Sequence, residues 1–171
     1  MSTSADRKAV VTGPGEGEAY WFYGDLAVIR SPDGALPVVI EHHLHAMAAT
    51  PLHAHVDVDD SFFVIKGALA CKSGEQTFVA RAGDYVSMPD GVQHALHAIG
   101  DEDVVILQTH KATSFRDFIR AVGTPVEKGR PDPATLDYGA MNVVAGQTGQ
   151  PVYGPPMSDD EAASIAQSSS R

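Results

Sequence analysis

The sequence predicts an all-β fold with one short helix towards its C-terminal end. Between residues 19 and 109, apolar and β-branched segments recur roughly every 8–12 residues, the spacing typical of a sandwich or barrel. Turns rich in Gly, Asp and Pro separate these segments. The period changes to that of a helix only after Ser114. A chain of 171 residues fits one domain with its own core.

The N-terminal third predicts three strands. Residues 1–18 are rich in Ser, Gly and charged residues, so we expect a flexible segment there. Residues 19–30 predict two short strands that are separated by a turn or bulge at Gly24-Asp25. After a turn at residues 31–34, the next strand runs from Pro37 to Met47.

The middle of the chain predicts the remaining strands of the barrel. The expected strands cover residues 62–65, 68–72, 76–80, 85–88, 94–99 and 103–109. Gly67 and the turns at Ser73-Gly74-Glu75 and Gly100-Asp101-Glu102 separate several of them. The chain from residue 19 to residue 157 is therefore expected to form a single β domain.

The C-terminal third predicts one helix and a mobile tail. Phe115, Phe118, Ile119 and Val122 recur at helical spacing, and Gly123 with Pro125 ends the helix. We expect this helix to cover the barrel. Residues 158–171 begin with acidic residues suited to a short helix but end in consecutive serines, so this tail is expected to be mobile.

Charge and composition exclude several classes of function. The formal net charge is −10, which argues against proteins that bind nucleic acid or an anionic membrane surface. The chain has one cysteine, Cys71, and so cannot form an intramolecular disulfide. A long apolar segment and a signal-like N-terminus are missing, so we expect a cytoplasmic protein.

Three histidines and one aspartate predict a metal site. His53 and His55 alternate along an extended segment and therefore place both imidazoles on one side. Asp60 has the wrong parity for that side on a straight strand, so the acidic segment between must bend. His94 follows a turn at Pro89-Asp90-Gly91. These ligand types suit iron, nickel, copper, manganese, cobalt or zinc.

Other side chains are candidates for a substrate pocket near these ligands. Trp21 and Tyr23 share one face of their strand. If the face that carries Glu41, His43 and His45 turns inward, these three contact the substrate or support the metal ligands. The expected apolar walls are Phe62, Val64, Leu96 and Trp21.

The two histidine motifs resemble those of the cupin superfamily. The first, G(X)5HXH(X)3,4E(X)6G, is matched by His53, His55 and Gly67, with Asp60 in the glutamate position. The second, G(X)5PXG(X)2H(X)3N, is matched by Gly83, Pro89, Gly91 and His94. Met47 replaces the first glycine, Ala98 replaces the asparagine, and the acidic residue is one methylene shorter.

The resemblance implies a fold and an activity. The fold would be a double-stranded β-helix, or jelly-roll barrel, and the chain resembles small single-domain cupins of the quercetin dioxygenase type. In that family the acidic residue binds the metal and takes a proton from the substrate, so Asp60 would be both ligand and base. The substrate would be a flavonol or another enolic or phenolic small molecule that reacts with dioxygen, and the protein would be a homodimer.

Two other classes of function remain open. The first is a non-redox metal-dependent cyclase, isomerase or decarboxylase acting on a polyketide-like or keto-acid substrate, which the aspartate at position 60 favours. The second is a non-catalytic module that binds a small molecule, because one fold can carry unrelated functions. The three retained histidines argue against that second class.

Overall fold

Two antiparallel sheets pack face to face in the computed structural model, which describes residues 8–169. The strands are β1 (Glu18–Phe22), β2 (Asp25–Ile29), β3 (Val38–Leu44), β4 (Pro51–His53), β5 (Asp60–Lys66), β6 (Ala68–Ser73), β7 (Gln76–Arg81), β8 (Tyr85–Met88), β9 (His94–Ile99), β10 (Val104–His110), β11 (Thr124–Pro125) and β12 (Val152–Pro156). The helices are α1 (Ser114–Val122), α2 (Tyr138–Gln147) and α3 (Asp159–Ser168).

The sheets have the strand orders β11-β1-β2-β3-β10-β5-β8 and β12-β4-β9-β6-β7. Alternate residues of both sheets turn towards each other and form the main core. Phe62 and Ile106 contribute to it from the larger sheet, and Leu69, Cys71 and Leu96 from the smaller one. The predicted all-β fold, a double-stranded β-helix with a short C-terminal helix outside the barrel, is therefore confirmed.

Two predicted turns have the backbone that their residues favour. Tyr23 and Gly24 join β1 to β2 with φ values of 52° and 90°, the pair of positive angles required by a tight type I′ hairpin. At Gly67, between β5 and β6, φ is 80°, and a Cβ atom would meet Val104 Cγ2 at 2.9 Å. Glycine is therefore required at position 67 both for its conformation and for its size.

Helix α1 forms where its spacing predicts it. Phe115, Phe118 and Ile119 are buried against the inner side of β2 and β3, in a second apolar cluster. Helix α2 was not predicted by the sequence, because its apolar residues form no continuous stripe; only Met141 and Ala145 are buried. Both helices close one end of the space between the sheets.

The C-terminal tail is ordered by contact with the smaller sheet, which differs from the expected mobile tail. In α3, Ala162 and Ile165 are buried and pack with Met157 against Ala70 and Val79. Ser158 caps the helix by accepting a hydrogen bond from the backbone N–H of Glu161. The tail is ordered because α3 covers the apolar outer face of the smaller sheet. Residues 170–171 of the predicted tail lie outside the described residues.

The end of the predicted flexible N-terminal segment is held by one arginine. Arg30 Nη1 donates to the backbone carbonyls of Gly13 and Glu16 at 2.6 and 2.5 Å. Residues 1–7 lie outside the described residues. Within residues 8–169, no helix is long and apolar enough to cross a membrane.

Candidate metal centre

His53 and His94 are neighbours on paired strands of the smaller sheet. His53 ends β4, His94 begins β9, and the two residues face each other in the register of these strands. Each Nδ1–H donates to a backbone carbonyl two residues earlier, that of Pro51 at 2.8 Å and that of Val92 at 2.9 Å. These bonds fix the tautomer, so both rings keep an Nε2 lone pair for a ligand.

His55 and Asp60 reach the same place from the two ends of a bent loop. The chain turns at Asp57, where φ is 65°, and crosses to the larger sheet, where Asp60 begins β5. This is the bend required by the parity of Asp60. Asp60 Oδ2 lies 3.8 Å from His55 Nε2 and 3.7 Å from His94 Nε2. The aspartate therefore approaches the histidines despite its shorter side chain.

The other carboxylate oxygen of Asp60 is held by strand β10. Gln108 Nε2 donates to Asp60 Oδ1 at 2.7 Å, and His110 Nε2 lies 3.4 Å from the same oxygen. Gln108 is in turn contacted by His42, whose Nε2 lies 2.8 Å from Gln108 Oε1. One carboxylate oxygen is thus held by protein groups, and the other faces the histidines.

Burial sets the charge of the cluster at neutral pH. Burial lowers the pKa of His53 to about 4 and that of His55 to about 3, so both imidazoles are neutral. Burial alone would raise the pKa of Asp60, but the surrounding imidazoles, His110 first, outweigh it and hold this pKa well below its usual range. Neutral imidazoles and an ionised carboxylate are the forms that bind metal ions.

The donor atoms of the cluster suit a divalent transition metal. His55 Nε2 and His94 Nε2 are buried and have no hydrogen-bond partner within residues 8–169. Buried polar atoms without a partner are costly, and a metal ion would satisfy these nitrogens. Donor atoms that share one ion at about 2.1 Å lie roughly 3–3.5 Å apart, close to the distances observed to Asp60.

A cavity of about 110 Å³ opens beside this cluster. Its walls are mostly aromatic and aliphatic. Polar side chains enter it at a few points, namely Asp25, His42, Thr50, His53, Asp60, Gln108 and Gln150. Apolar walls with a few polar groups are typical of sites for small organic molecules.

The structure brings only part of the predicted pocket together. Of the predicted pocket residues, Tyr23 and Leu96 line the cavity. Phe62 and Val64 belong instead to the core between the sheets. Trp21 lies on the other face of β1 from the cavity-lining Phe22, with the guanidinium carbon of Arg130 5.3 Å from its ring centroid.

The face of β3 that carries Glu41 and His43 turns outward, contrary to the expectation for Glu41, His43 and His45. Glu41 accepts hydrogen bonds from Arg30 and contacts His43 on the outside of the sheet. The His45 side chain is half exposed and contacts Asp25. The physical reason is that the opposite face, with Val38, Ile40 and His42, is the one buried.

Three residues of the site were missed by sequence reasoning. They are His42, Gln108 and His110. Alternation along β10 places Gln108 and His110 on the same inward face as Ile106, and this was the available signal. The pairing of β10 with both β3 and β5, which brings the three to Asp60, is not visible in local sequence.

The comparisons with known proteins agree with this architecture. Residues 40–110 match the family described as "Cupin domain". This stretch begins within β3, ends at the last residue of β10 and includes every side chain of the cluster around Asp60. A comparison with curated proteins finds no significant match.

Several solved structures share the fold. The Cnp3 cupin domain of Schizosaccharomyces pombe is 17% identical, with a TM-score of 0.51 over 64% of this chain and 78% of that one. KdgF from Halomonas sp. is 15% identical, with a TM-score of 0.53 over 62% of this chain and 96% of that one. A CENP-C domain from Drosophila melanogaster is also 15% identical, with a TM-score of 0.53 over 64% of this chain and 83% of that one. At these identities the likeness concerns the fold.

Proposed function

We propose that this chain, of which residues 40–110 match the cupin domain family, is a metal-dependent enzyme acting on a small organic molecule. The first candidate activity is that of a dioxygenase of the quercetin dioxygenase type, with a flavonol or another enolic or phenolic substrate. The observation that supports the proposal is the set of buried, unpartnered imidazole nitrogens beside a mostly apolar cavity.

We assign the metal ligands to His53, His55, Asp60 and His94. A divalent transition metal bound there would supply Lewis acidity, and redox chemistry with dioxygen if the metal is redox-active. His53 and His94 are oriented by their bonds to backbone carbonyls, and Asp60 is oriented by Gln108. The apolar walls exclude water around the substrate.

Asp60 is better suited to be a ligand than a base. Its carboxylate is 2% exposed and already accepts a hydrogen bond from Gln108. A carboxylate whose pKa lies well below its usual range is a weak proton acceptor. The base role implied for Asp60 stays a prediction, and an Asp60→Asn variant that kept full metal and full turnover would rule out both roles.

The first experiment is to measure metal content by mass spectrometry on protein purified without a His tag or chelator. We expect about one equivalent of a transition metal. The His53→Ala and His94→Ala variants should lose it, whereas His43→Ala, on the outward face of β3, should retain it. An empty wild type that cannot be reloaded would contradict the proposal and favour a metal-free binding protein.

A non-redox reaction is the second candidate. An aspartate in the position of the family's glutamate favours it, because the acidic residue of the motif then departs from the pattern of the dioxygenase-type proteins. Oxygen uptake separates the two activities. Consumption of dioxygen with a flavonol or a related enol supports the dioxygenase, and substrate turnover without uptake supports a cyclase, isomerase or decarboxylase.

The expected homodimer and cytoplasmic location stay predictions. The outer face of β5 and the edge strand β8 expose three large apolar side chains, Phe63, Ile65 and Tyr85. A second copy of the chain would cover such a surface.

A further inference from the structure

The orientation of the Gln108 amide is determined by its two neighbours. Asp60 is ionised and can only accept hydrogen bonds, so the amide nitrogen of Gln108 must face Asp60 Oδ1, 2.7 Å away. The amide oxygen then faces His42 Nε2 at 2.8 Å. Reversing the amide would place two acceptors against each other at the carboxylate, and so this orientation is the one that the contacts permit.

The same contacts determine the tautomer of His42. An amide oxygen is an acceptor, and Nε2 of His42 must therefore carry the proton and donate it. Burial lowers the pKa of His42 to about 4, so the ring is neutral at pH 7. A neutral imidazole with its proton on Nε2 has a lone pair on Nδ1. The carboxylate of Asp60 orients Gln108, and Gln108 in turn leaves Nδ1 of His42, on β3, as a hydrogen-bond acceptor.

The acceptor nitrogen of His42 has no partner in the described part of the chain. No group of residues 8–169 makes a hydrogen bond to Nδ1, and this atom is not fully buried. His42 lines the cavity beside the rings of Phe22 and Phe115, whose centroids lie 6.5 and 6.0 Å from its own. The open nitrogen is therefore accessible from the cavity rather than enclosed in the core.

We propose that His42 binds the substrate by accepting a hydrogen bond at Nδ1, and that the pocket selects molecules that present a hydroxyl hydrogen to it. The substrate class is then an enol or a phenol with a free O–H, since an ether or a fully oxidised carbonyl compound has no hydrogen to donate. The inference rests on the proposed function for the identity of the site, but the tautomer of His42 follows from the contact of its neutral ring with Gln108 and does not depend on a bound metal.

The first test is the tautomer of His42, measured by long-range ¹H–¹⁵N NMR on ¹⁵N-histidine-labelled protein, both metal-free and after addition of Zn²⁺. We expect His42 to carry its proton on Nε2 in wild type and to become a tautomer mixture in Gln108→Leu. A proton on Nδ1 in wild type would overturn the proposal. A protein that binds no Zn²⁺ would contradict the proposed metal function and leave this measurement intact.

The second test compares phenol with anisole, its methyl ether, by NMR titration of the cavity. Wild type should bind phenol roughly 5-fold more tightly than anisole, as expected for one net hydrogen bond. The His42→Phe variant should lose this preference and bind the two ligands alike. The matched control, His43→Phe on the outward face, should keep it. An unchanged preference in His42→Phe, or no binding of phenol to wild type, would overturn the proposal.

Discussion

Met47 occupies a backbone position that normally suits glycine. Its φ is 67°, in the left-handed region, and its side chain is about half exposed and packs little. A residue with a Cβ atom is strained there by about 1 kcal/mol. The loop between β3 and β4 therefore has a backbone conformation that favours glycine although position 47 carries methionine.

We expect Met47→Gly to be more stable than Met47→Ala by about 1 kcal/mol, because only glycine removes the strain. Urea unfolding of both variants beside wild type measures the difference. Alanine is the matched control because it also removes the long side chain but keeps the Cβ atom. Equal stabilities of the two variants would show that position 47 is unstrained.

Gln108 is the residue on which the orientation of Asp60 most depends. Replacing it with leucine removes the donor to Asp60 Oδ1 and the acceptor for His42 while keeping the volume similar. We expect metal affinity to fall roughly 10- to 100-fold, as is usual when a partner that orients a ligand is lost. Competition with a coloured chelator measures the affinity.

The control for Gln108→Leu is Thr109→Val on the same strand. Thr109 faces outward, and its hydroxyl contacts Ser61 rather than the cluster. Metal affinity should be unchanged in Thr109→Val. If Gln108→Leu also bound metal as wild type does, Asp60 would be positioned by other contacts, with His110 the remaining candidate.

Helix α3 shows how a short amphipathic segment is ordered by the sheet beneath it. Ile165 is 5% exposed and Ala162 is 1% exposed, whereas Ser164 faces solvent. His97 on β9 and Lys72 on β6 contact Asp159 and Glu161 in the first turn of the helix. The buried apolar side chains and these polar contacts together hold α3 on the smaller sheet.

Ile165→Ala should destabilise the protein by about 2–4 kcal/mol, because it leaves a cavity between α3 and the smaller sheet. Chemical denaturation measures the change, and Ser164→Ala on the exposed face should shift stability by less than about 0.5 kcal/mol. Equal, small effects of both substitutions would mean that the tail is undocked and mobile, as the sequence alone predicts.

The elements that sequence predicts well are those with a local signal. The strands follow from alternation, α1 follows from its helical spacing, and His53, His55 and His94 follow from motif spacing. Which face of β3 turns inward could not be predicted, since both of its faces mix apolar and polar residues. His42 and Gln108 were missed for a related reason, because β3 and β10 lie far apart in the chain and meet only in the sheet.

Buried neutral histidines make the free energy of unfolding of the whole domain depend on pH. The pKa of His42 and of His53 is lowered to about 4, and that of His55 to about 3, whereas an unfolded chain binds these protons near pH 6.5. Between about pH 6.5 and pH 4 the unfolded state therefore binds more protons, and the free energy of unfolding must fall as the pH falls.

We expect metal-free protein to lose stability steeply below about pH 6.5, and His42→Gln to reduce the slope by up to about 1.4 kcal/mol per pH unit. Urea unfolding in EDTA at several pH values between 7.5 and 5 measures the slope. Thr109→Val, which changes no titratable group and lies on the strand paired with β3, is the control and should leave the slope unchanged. The same slope in wild type and His42→Gln would show that His42 is protonated in the folded protein.

The ligand set is divided between the two sheets, with His53 and His94 on the smaller sheet and Asp60 on the larger one. An ion bound to all three would join the sheets through side chains, in addition to the backbone loop of residues 54–59 that already connects β4 to β5 there. Such an ion would bind the folded chain alone, and at 100 times its dissociation constant would add about 2.7 kcal/mol to the free energy of unfolding. The folded fraction of this protein in a cell would then follow the supply of its metal, so that starvation for that metal would lower the amount of protein as well as its activity.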